Sequence, residues 1–240
     1  MPDSVRPSYR LVQWLWAGVD LLYPPACISC GKVGVHWCDD CQSQIAPLAP
    51  PLCECCGQNQ RREGVCRNCQ EAPPHFQAIR SWAIFDGSLR TALHRLKYRR
   101  DLRLGEVLAR PLLQILRDSH WKVDMIVPVP LGKARLKERG YNQAALLAHP
   151  VALGAGLPYH PRALRKVRNT PSQVDLSLVE RRENVKGAFQ AFPRWVAGRS
   201  VLVVDDVATT SATLDACAHA LLEAGASSVY GLTVARARLD

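Results

Sequence analysis

Apolar positions along the 240-residue chain recur in two rhythms, and the switches between them mark out the elements. Within residues 11–22, Leu11, Trp14, Leu15, Gly18, Val19 and Leu22 share one helical face, which predicts a short amphipathic helix docked on the body of the protein. Residues 78–87, AIRSWAIFDG, alternate and end in a turn, as a strand does. Residues 88–101 return to the helical period with Leu89, Leu93 and Leu96 inward. Arg90, His94, Lys97 and Arg100 then fall on a different, solvated face. A further helix is predicted at 104–118, bent or broken by Pro111.

Residues 125–129 read as a buried strand, broken by Pro130 and Gly132. A loop carrying Lys133, Arg135, Lys137 and Arg139 follows, then a turn at Gly140 and a helix at 143–153 with Asn142 as its cap. Residues 201–204, VLVV, form a continuous and mostly β-branched run that suits a strand buried on both faces of a parallel sheet. That strand ends in Asp205 and Asp206 and crosses a loop at 207–213. Leu214, Cys217, Ala218, Leu221 and Leu222 then recur at helical spacing until Gly225. Strands alternating with helices predict an α/β fold built on a parallel sheet.

The N-terminal third follows neither rhythm; cysteines punctuate it. Nine of the ten cysteines lie between 27 and 69, and they repeat: CISCG (27–31) with CDDCQ (38–42), then CECCG (53–57) with CRNCQ (66–70). A CxxC knuckle turns the backbone so that two thiolates face one point, and two knuckles complete a tetrahedral zinc site. The repeat pairs Cys27, Cys30, Cys38 and Cys41 on one ion and Cys53, Cys56, Cys66 and Cys69 on another. The loops of seven and nine residues between knuckles leave cross-pairing between the halves open. Cys55 is left over and can stand in for Cys53 or Cys56; His36 reads as a bystander and Cys217 as core. Four-thiolate sites have no open position, so both ions are structural. Disulfides fit poorly without a secretory signal.

Charge separates the same two parts. Residues 1–75 hold six Lys and Arg against seven Asp and Glu, a net of −1; residues 76–240 hold 25 against 14, a net of +11. A basic domain attracts polyanions such as nucleotides, pyrophosphate or nucleic acid. Two clusters stand out, Arg95/Lys97/Arg99/Arg100 and Lys133/Arg135/Lys137/Arg139, with Tyr98 and Tyr141 placed to stack on bases. The apolar stretch at 11–22 is short and interrupted by Asp20, so neither a membrane span nor a signal peptide is expected and a cytoplasmic protein is.

The chemistry concentrates after residue 204. Ligands of open α/β sheets sit beyond the carboxyl ends of the strands, and the N–H groups at a helix start suit a phosphate. Thr209, Thr210, Ser211 and Thr213 add hydroxyl donors. Asp205 and Asp206 repel phosphate, but accept hydrogen bonds from a sugar diol or approach a hydrated Mg²⁺. A phosphate beside two carboxylates describes a ribose 5-phosphate.

This stretch resembles the phosphoribosyl-pyrophosphate (PRPP) motif of type I phosphoribosyltransferases. The resemblance implies that Asp205 and Asp206 hold the ribose hydroxyls, that Ala208, Thr209, Thr210, Ser211, Ala212 and Thr213 wrap the 5-phosphate, and that Mg²⁺ arrives with PRPP. The family usually has glycine where Ser211 stands. The catalytic Asp of 6-oxopurine members is replaced by Thr209, which argues against hypoxanthine or guanine as acceptor. Residues 165–189, with Gln173 and Arg182, resemble the flexible hood of amidophosphoribosyltransferase-like proteins; Lys133, Arg135 and Arg139 would join them around pyrophosphate.

FDGSLRTALHRLKY, PVPL…RGYNQ, this hood and the PRPP loop, in one order behind a four-knuckle module, closely resemble the ComF-type competence and DNA-utilisation family. The family implies a type I phosphoribosyltransferase-like parallel sheet flanked by helices (76–240), preceded by a small Cys-rich double zinc-ribbon module (25–75) and the N-terminal helix (1–24). It implies a PRPP-binding protein that handles single-stranded DNA in natural transformation, with a helicase-type competence protein as partner. An active transferase with an unknown acceptor, or a PRPP sensor without turnover, are the alternatives.

Overall fold

The structure, a computed structural model, describes residues 24–168, 180 and 184–238. The helix expected at 11–22, and Gln173 and Arg182 of the expected hood, lie outside the described residues. Two short helices, α1 (Asp39–Gln42) and α2 (Arg67–Glu71), belong to the Cys-rich part. Then follow β1 (Ala78–Ile84), α3 (Gly87–Tyr98), α4 (Leu104–Asp118), β2 (Met125–Pro128), α5 (Lys133–Arg139), α6 (Gln143–Ala155), β3 (Leu164–Lys166), β4 (Phe189–Ala191), α7 (Pro193–Val196), β5 (Ser200–Ala208), α8 (Ala212–Glu223) and β6 (Ser228–Arg236).

β1, β6, β5 and β2 form one parallel sheet in that order, and β3 pairs antiparallel with β4. Residues 201–204 lie at the centre of the sheet and are fully buried, as a strand covered on both faces requires. Period-2 alternation assigns their side chains to opposite faces. On one face Val201, Val203 and Ile79 pack with Leu214, Cys217 and Leu221 of α8 and with Cys53, Cys56 and Cys69 of the second ribbon. On the other, Leu202, Val204 and Leu232 pack with Leu93, Leu108 and Leu147 of α3, α4 and α6, and with Trp37 and Cys41 of the first ribbon. Each ribbon therefore covers a different face of the sheet.

Three local expectations change. α4 runs unbroken through Pro111, since its inward residues Leu108 and Leu112 are held by the core on either side. The segment expected as a cationic loop is helix α5, closed by Gly140 in the left-handed region at φ 84°. β5 continues through both acids to Ala208, because residues 205–208 stay hydrogen-bonded beside β6, with Asp205 opposite Thr233 and Ala208 opposite Arg236. The loop shrinks to 209–211 and the helix opens at Ala212. Asn142 caps α6 as expected, its Oδ1 accepting from the Ala144 N–H at 3.1 Å.

Candidate functional site

The two halves of the cysteine repeat fold alike. In the first knuckle of each, the glycine after CxxC takes a left-handed turn (Gly31 φ 78°, Gly57 φ 68°) and its N–H returns to the carbonyl of Cys27 or Cys53. The second knuckle opens a short helix, with Cys38 and Cys66 at the N-caps and Cys41 and Cys69 inside. The structure brings Cys27, Cys30, Cys38 and Cys41 together, and separately Cys53, Cys56, Cys66 and Cys69, with the ligand atoms of each foursome within 4.8 Å of one another.

Sulfur separations fit a zinc ion. Cys27 and Cys30 each lie 3.6 Å from Cys38, and Cys56 lies 3.8 Å from Cys66. A tetrahedral Zn–S bond of about 2.3 Å gives edges of about 3.8 Å. One thiolate in each foursome is favoured locally, while its neighbours Cys38, Cys41, Cys66 and Cys69 are raised. Burial pushes Cys27 up, but N–H groups of Cys30, Cys38 and Ser29 outweigh it and hold the thiol at about 6. A hydrogen bond from Cys69 outweighs burial at Cys56 and holds it at about 5. Cys55 is outside both foursomes; its carbonyl accepts from the Ile79 N–H at 2.7 Å and so fastens the second ribbon to β1. Gly57 packs so close to β1 that a Cβ there would meet the Ile79 carbonyl oxygen at 2.4 Å. His36 accepts from Arg103 Nε at 3.2 Å.

The acid pair sits at the sheet's carboxyl edge. Adjacent residues of a strand face opposite sides, so the two carboxylates serve different neighbourhoods. Asp206 points to the α3/α6 face, where Lys97 forms an ion pair with it and Gln143 Nε2 donates to its Oδ1 at 3.4 Å. Arg139 donates to Gln143 Oε1 and lies over the Tyr98 ring, 5.2 Å from its centroid. Asp205 is within electrostatic reach of Lys166 and of Cys217, and its Oδ1 accepts the Asp206 N–H at 2.9 Å. Both acids are buried, 8% and 4% exposed.

This split sets their charges apart. Burial raises Asp205 well above the usual carboxylate range, and the neighbouring Asp206 charge raises it further. Burial acts on Asp206 too, but the Lys97 ammonium outweighs it and holds that carboxyl below its ordinary value. Asp206⁻ paired with Lys97⁺ therefore contributes stability above the ordinary carboxylate value, lost as pH falls through its lowered one. A raised Asp205 works in the opposite sense: its ionisation costs stability as pH rises. Asp205→Asn is accordingly expected to raise the apo melting temperature at pH 8 relative to the parent. The difference should shrink towards pH 4, as measured by scanning fluorimetry. A gap that widens on acidification would contradict it.

Thr209, Thr210 and Ser211 form the loop between strand and helix. The N–H of Ala212 donates to Thr210 Oγ1 at 3.3 Å. Ser211 occupies the left-handed region at φ 64°, which favours glycine. Its Oγ accepts from the buried Arg236 at 3.0 Å. Thr213 lies in the first turn of α8.

Lys133 opens α5 and shares an open cleft of about 400 Å³ with Arg165, Lys166 and Val167 at the root of β3. Burial lowers the Lys166 ammonium, with Arg135 and Arg168 adding to the effect. Lys133 and Arg135 lie near Lys166 at this cleft, whereas Arg139 joins the Asp206 network through Gln143. Sequence reasoning missed Gln143, Lys166 and Arg236, and it placed Lys97 on a solvated face. Periodicity does not distinguish Lys97 from His94, one turn earlier on the same stripe; only the end of α3 abutting β5 selects Lys97.

Comparison with known proteins adds the family. The double zinc ribbon domain family matches residues 18–70. The DNA utilization protein YhgH of Escherichia coli K12 is 34% identical over 203 residues, 81% of this chain and 88% of its own length. Competence protein F of Haemophilus influenzae is 31% identical over 212 residues, covering 83% and 90%. Among solved structures, glutamine PRPP amidotransferase from B. subtilis overlaps 57% of this chain and 26% of its own, at 24% identity and a TM-score of 0.36. Adenine phosphoribosyltransferase from Thermoanaerobacter pseudethanolicus overlaps 58% and 83%, at 16% identity and a TM-score of 0.37. Relatives that match both the cysteine-rich part and the sheet across more than four fifths of the chain decide the matter: it belongs to the ComF-type family of competence and DNA-utilisation proteins.

Proposed function

We propose that this chain binds PRPP with Mg²⁺ at the β5–α8 edge and handles single-stranded DNA in the cytoplasm, in natural transformation or in the use of DNA as a nutrient. One observation carries the reading: two buried carboxylates stand two residues before a hydroxyl loop that opens a helix through a left-handed Ser211, with Lys97 on Asp206, Lys166 near Asp205 and Arg236 on Ser211. Carboxylates accept from the ribose diol, loop N–H groups and hydroxyls hold the 5-phosphate, and the cations at the roots of α5 and β3 neutralise pyrophosphate. Mg²⁺, which the acids fit by their chemistry, would add charge neutralisation on the pyrophosphate side. The names of the relatives, DNA utilization protein and competence protein F, support the nucleic-acid half.

The polyanion surface is a broad groove along α3 of about 870 Å³, lined by Arg90, Thr91, His94, Arg95 and Arg99 with Asp86 and Gly87. Tyr98 beside it is 62% exposed, with Arg139 over its ring and the His94 ring 4.7 Å away, so a base would stack by displacing one of them, whereas the Tyr141 hydroxyl is committed to the Leu96 carbonyl. Lys97 leaves the expected DNA cluster, because it pairs with Asp206.

Calorimetry with PRPP·Mg²⁺ and with single-stranded DNA, together and apart, tests both halves. For four to six phosphate contacts the log–log salt slope is expected to be roughly −3 to −4, at about −0.7 per contact. Replacing Arg99 and Arg100 by Ala should weaken DNA binding and spare PRPP binding. Absence of DNA binding at low salt would overturn the nucleic-acid half for the isolated protein and leave a transferase or sensor.

A further inference from the structure

Arg236 stands between two anionic centres. It is the last residue of β6 and only 3% exposed. One guanidinium N–H donates to Ser211 Oγ, and its buried Nε has no hydrogen-bond partner among the described residues. On the other side it lies within electrostatic reach of Cys53, Cys56, Cys66 and Cys69. Arg236, Thr210, Ser211, Cys56 and Cys69 line a single cleft of about 440 Å³. The second ribbon and the hydroxyl loop are thus two walls of one space, with the arginine at their junction.

Charge explains why a buried arginine belongs there. Four thiolates around Zn²⁺ leave a centre of about −2, and a phosphate monoester brings about −1.5 to −2. In a poorly solvated interior two such centres repel strongly unless a cation lies between them. We propose that Arg236 is the shared counter-ion of the second tetrathiolate zinc centre and of the phosphate held by the 209–211 loop, so that the ribbon sets the affinity of the phosphate site. The proposal rests on reading that loop as a phosphate site. It also gives Ser211 a reason to stand where glycine is easier: its hydroxyl anchors the guanidinium. Arg236 thereby acts as a positioning residue for the loop and screens one anion from the other.

The test uses the zinc-loaded full chain, with PRPP·Mg²⁺ as probe and two readouts, calorimetric affinity and zinc release to a chromogenic chelator. Arg236→Gln is expected to bind PRPP at least tenfold more weakly and to release one of its two zinc ions several-fold faster. Arg236→Lys, which keeps the charge, should recover most of both. Ser211→Gly, which removes the anchoring hydroxyl but keeps the cation, should weaken PRPP binding less than Arg236→Gln does. Unchanged affinity in Arg236→Gln overturns the proposal while leaving the loop reading intact. Equal weakening in Ser211→Gly also overturns it, since loop geometry alone would then be at work. A parent protein that does not bind PRPP overturns the loop reading and the proposal together.

If Arg236→Gln does not fold, Cys30→Ser protein, which keeps only the second ion, decides. Saturating PRPP competes for the shared cation and is expected to speed zinc release at least threefold. Equal release with and without PRPP overturns the proposal.

Discussion

PRPP with Mg²⁺ is expected to raise the melting temperature of the parent protein and to leave Asp206→Asn unmoved. A ligand that binds only the native state at a hundred times its dissociation constant stabilises by about 2.7 kcal/mol. At roughly 2–4 °C per kcal/mol for a chain of this size, the parent shift is roughly 5–10 °C. Asparagine keeps the shape of Asp206 but is a poorer diol acceptor and no longer balances a cation. The apo protein should suffer too, because the carboxylate is buried against Lys97 rather than exposed at the strand end. Breaking a fully buried pair costs about 3–5 kcal/mol. Lys97 is 24% exposed and can turn its ammonium to water, so about 1–2 kcal/mol is expected here. Lys97→Met is the complementary variant: it should lower apo stability by a similar amount and retain a PRPP shift. Fluorimetry on the three proteins decides. A full PRPP shift in Asp206→Asn would remove the acid pair from the site.

The purified parent is expected to carry two zinc ions, and Cys30→Ser is expected to carry one. The two ligand sets share no residue, and each ribbon sits on its own face of the sheet, so one centre can empty while the other stays closed. The loss is large because zinc supplies most of a ribbon's folding free energy, about 10–16 kcal/mol in isolated finger peptides. Without it the first ribbon unfolds. Trp37, which packs edge-on to Trp82 at 6.2 Å, then leaves the core. Metal content by emission spectroscopy and tryptophan fluorescence should change together. Loss of both ions would mean that the halves exchange ligands, contrary to the observed foursomes.

Cysteine spacing alone pointed to two four-cysteine centres, since a CxxC knuckle is a local turn; the pairing within each half, which the short loops of seven and nine residues left open, is settled by the folded ribbons. The β5 run and the Asn142 cap were likewise legible, their patterns being complete within a dozen residues, whereas the hydroxyl loop was found but drawn too long, since pairing with β6 extends β5 to Ala208. A parallel sheet follows from such runs because a strand covered on both faces must be apolar at every position.

Tertiary structure decided what no local pattern carries. Sequence shows two adjacent acids; the folded chain buries both with their carboxyl groups still in contact, but gives Asp206 the Lys97 ion pair and the Gln143 amide while Asp205 lies near Lys166. These partners are distant in sequence, Gln143 lying 63 residues before Asp206 and Lys97 further still. A charged stripe on a helix looks alike whether it meets water or a carboxylate. Arg236 reaches Ser211 because β5 and β6 are in register, and it meets the second ribbon's thiolates because that ribbon docks on the same face as α8. Register and docking follow from packing across the whole core, so only the folded chain could join a zinc centre to the hydroxyl loop through one buried cation.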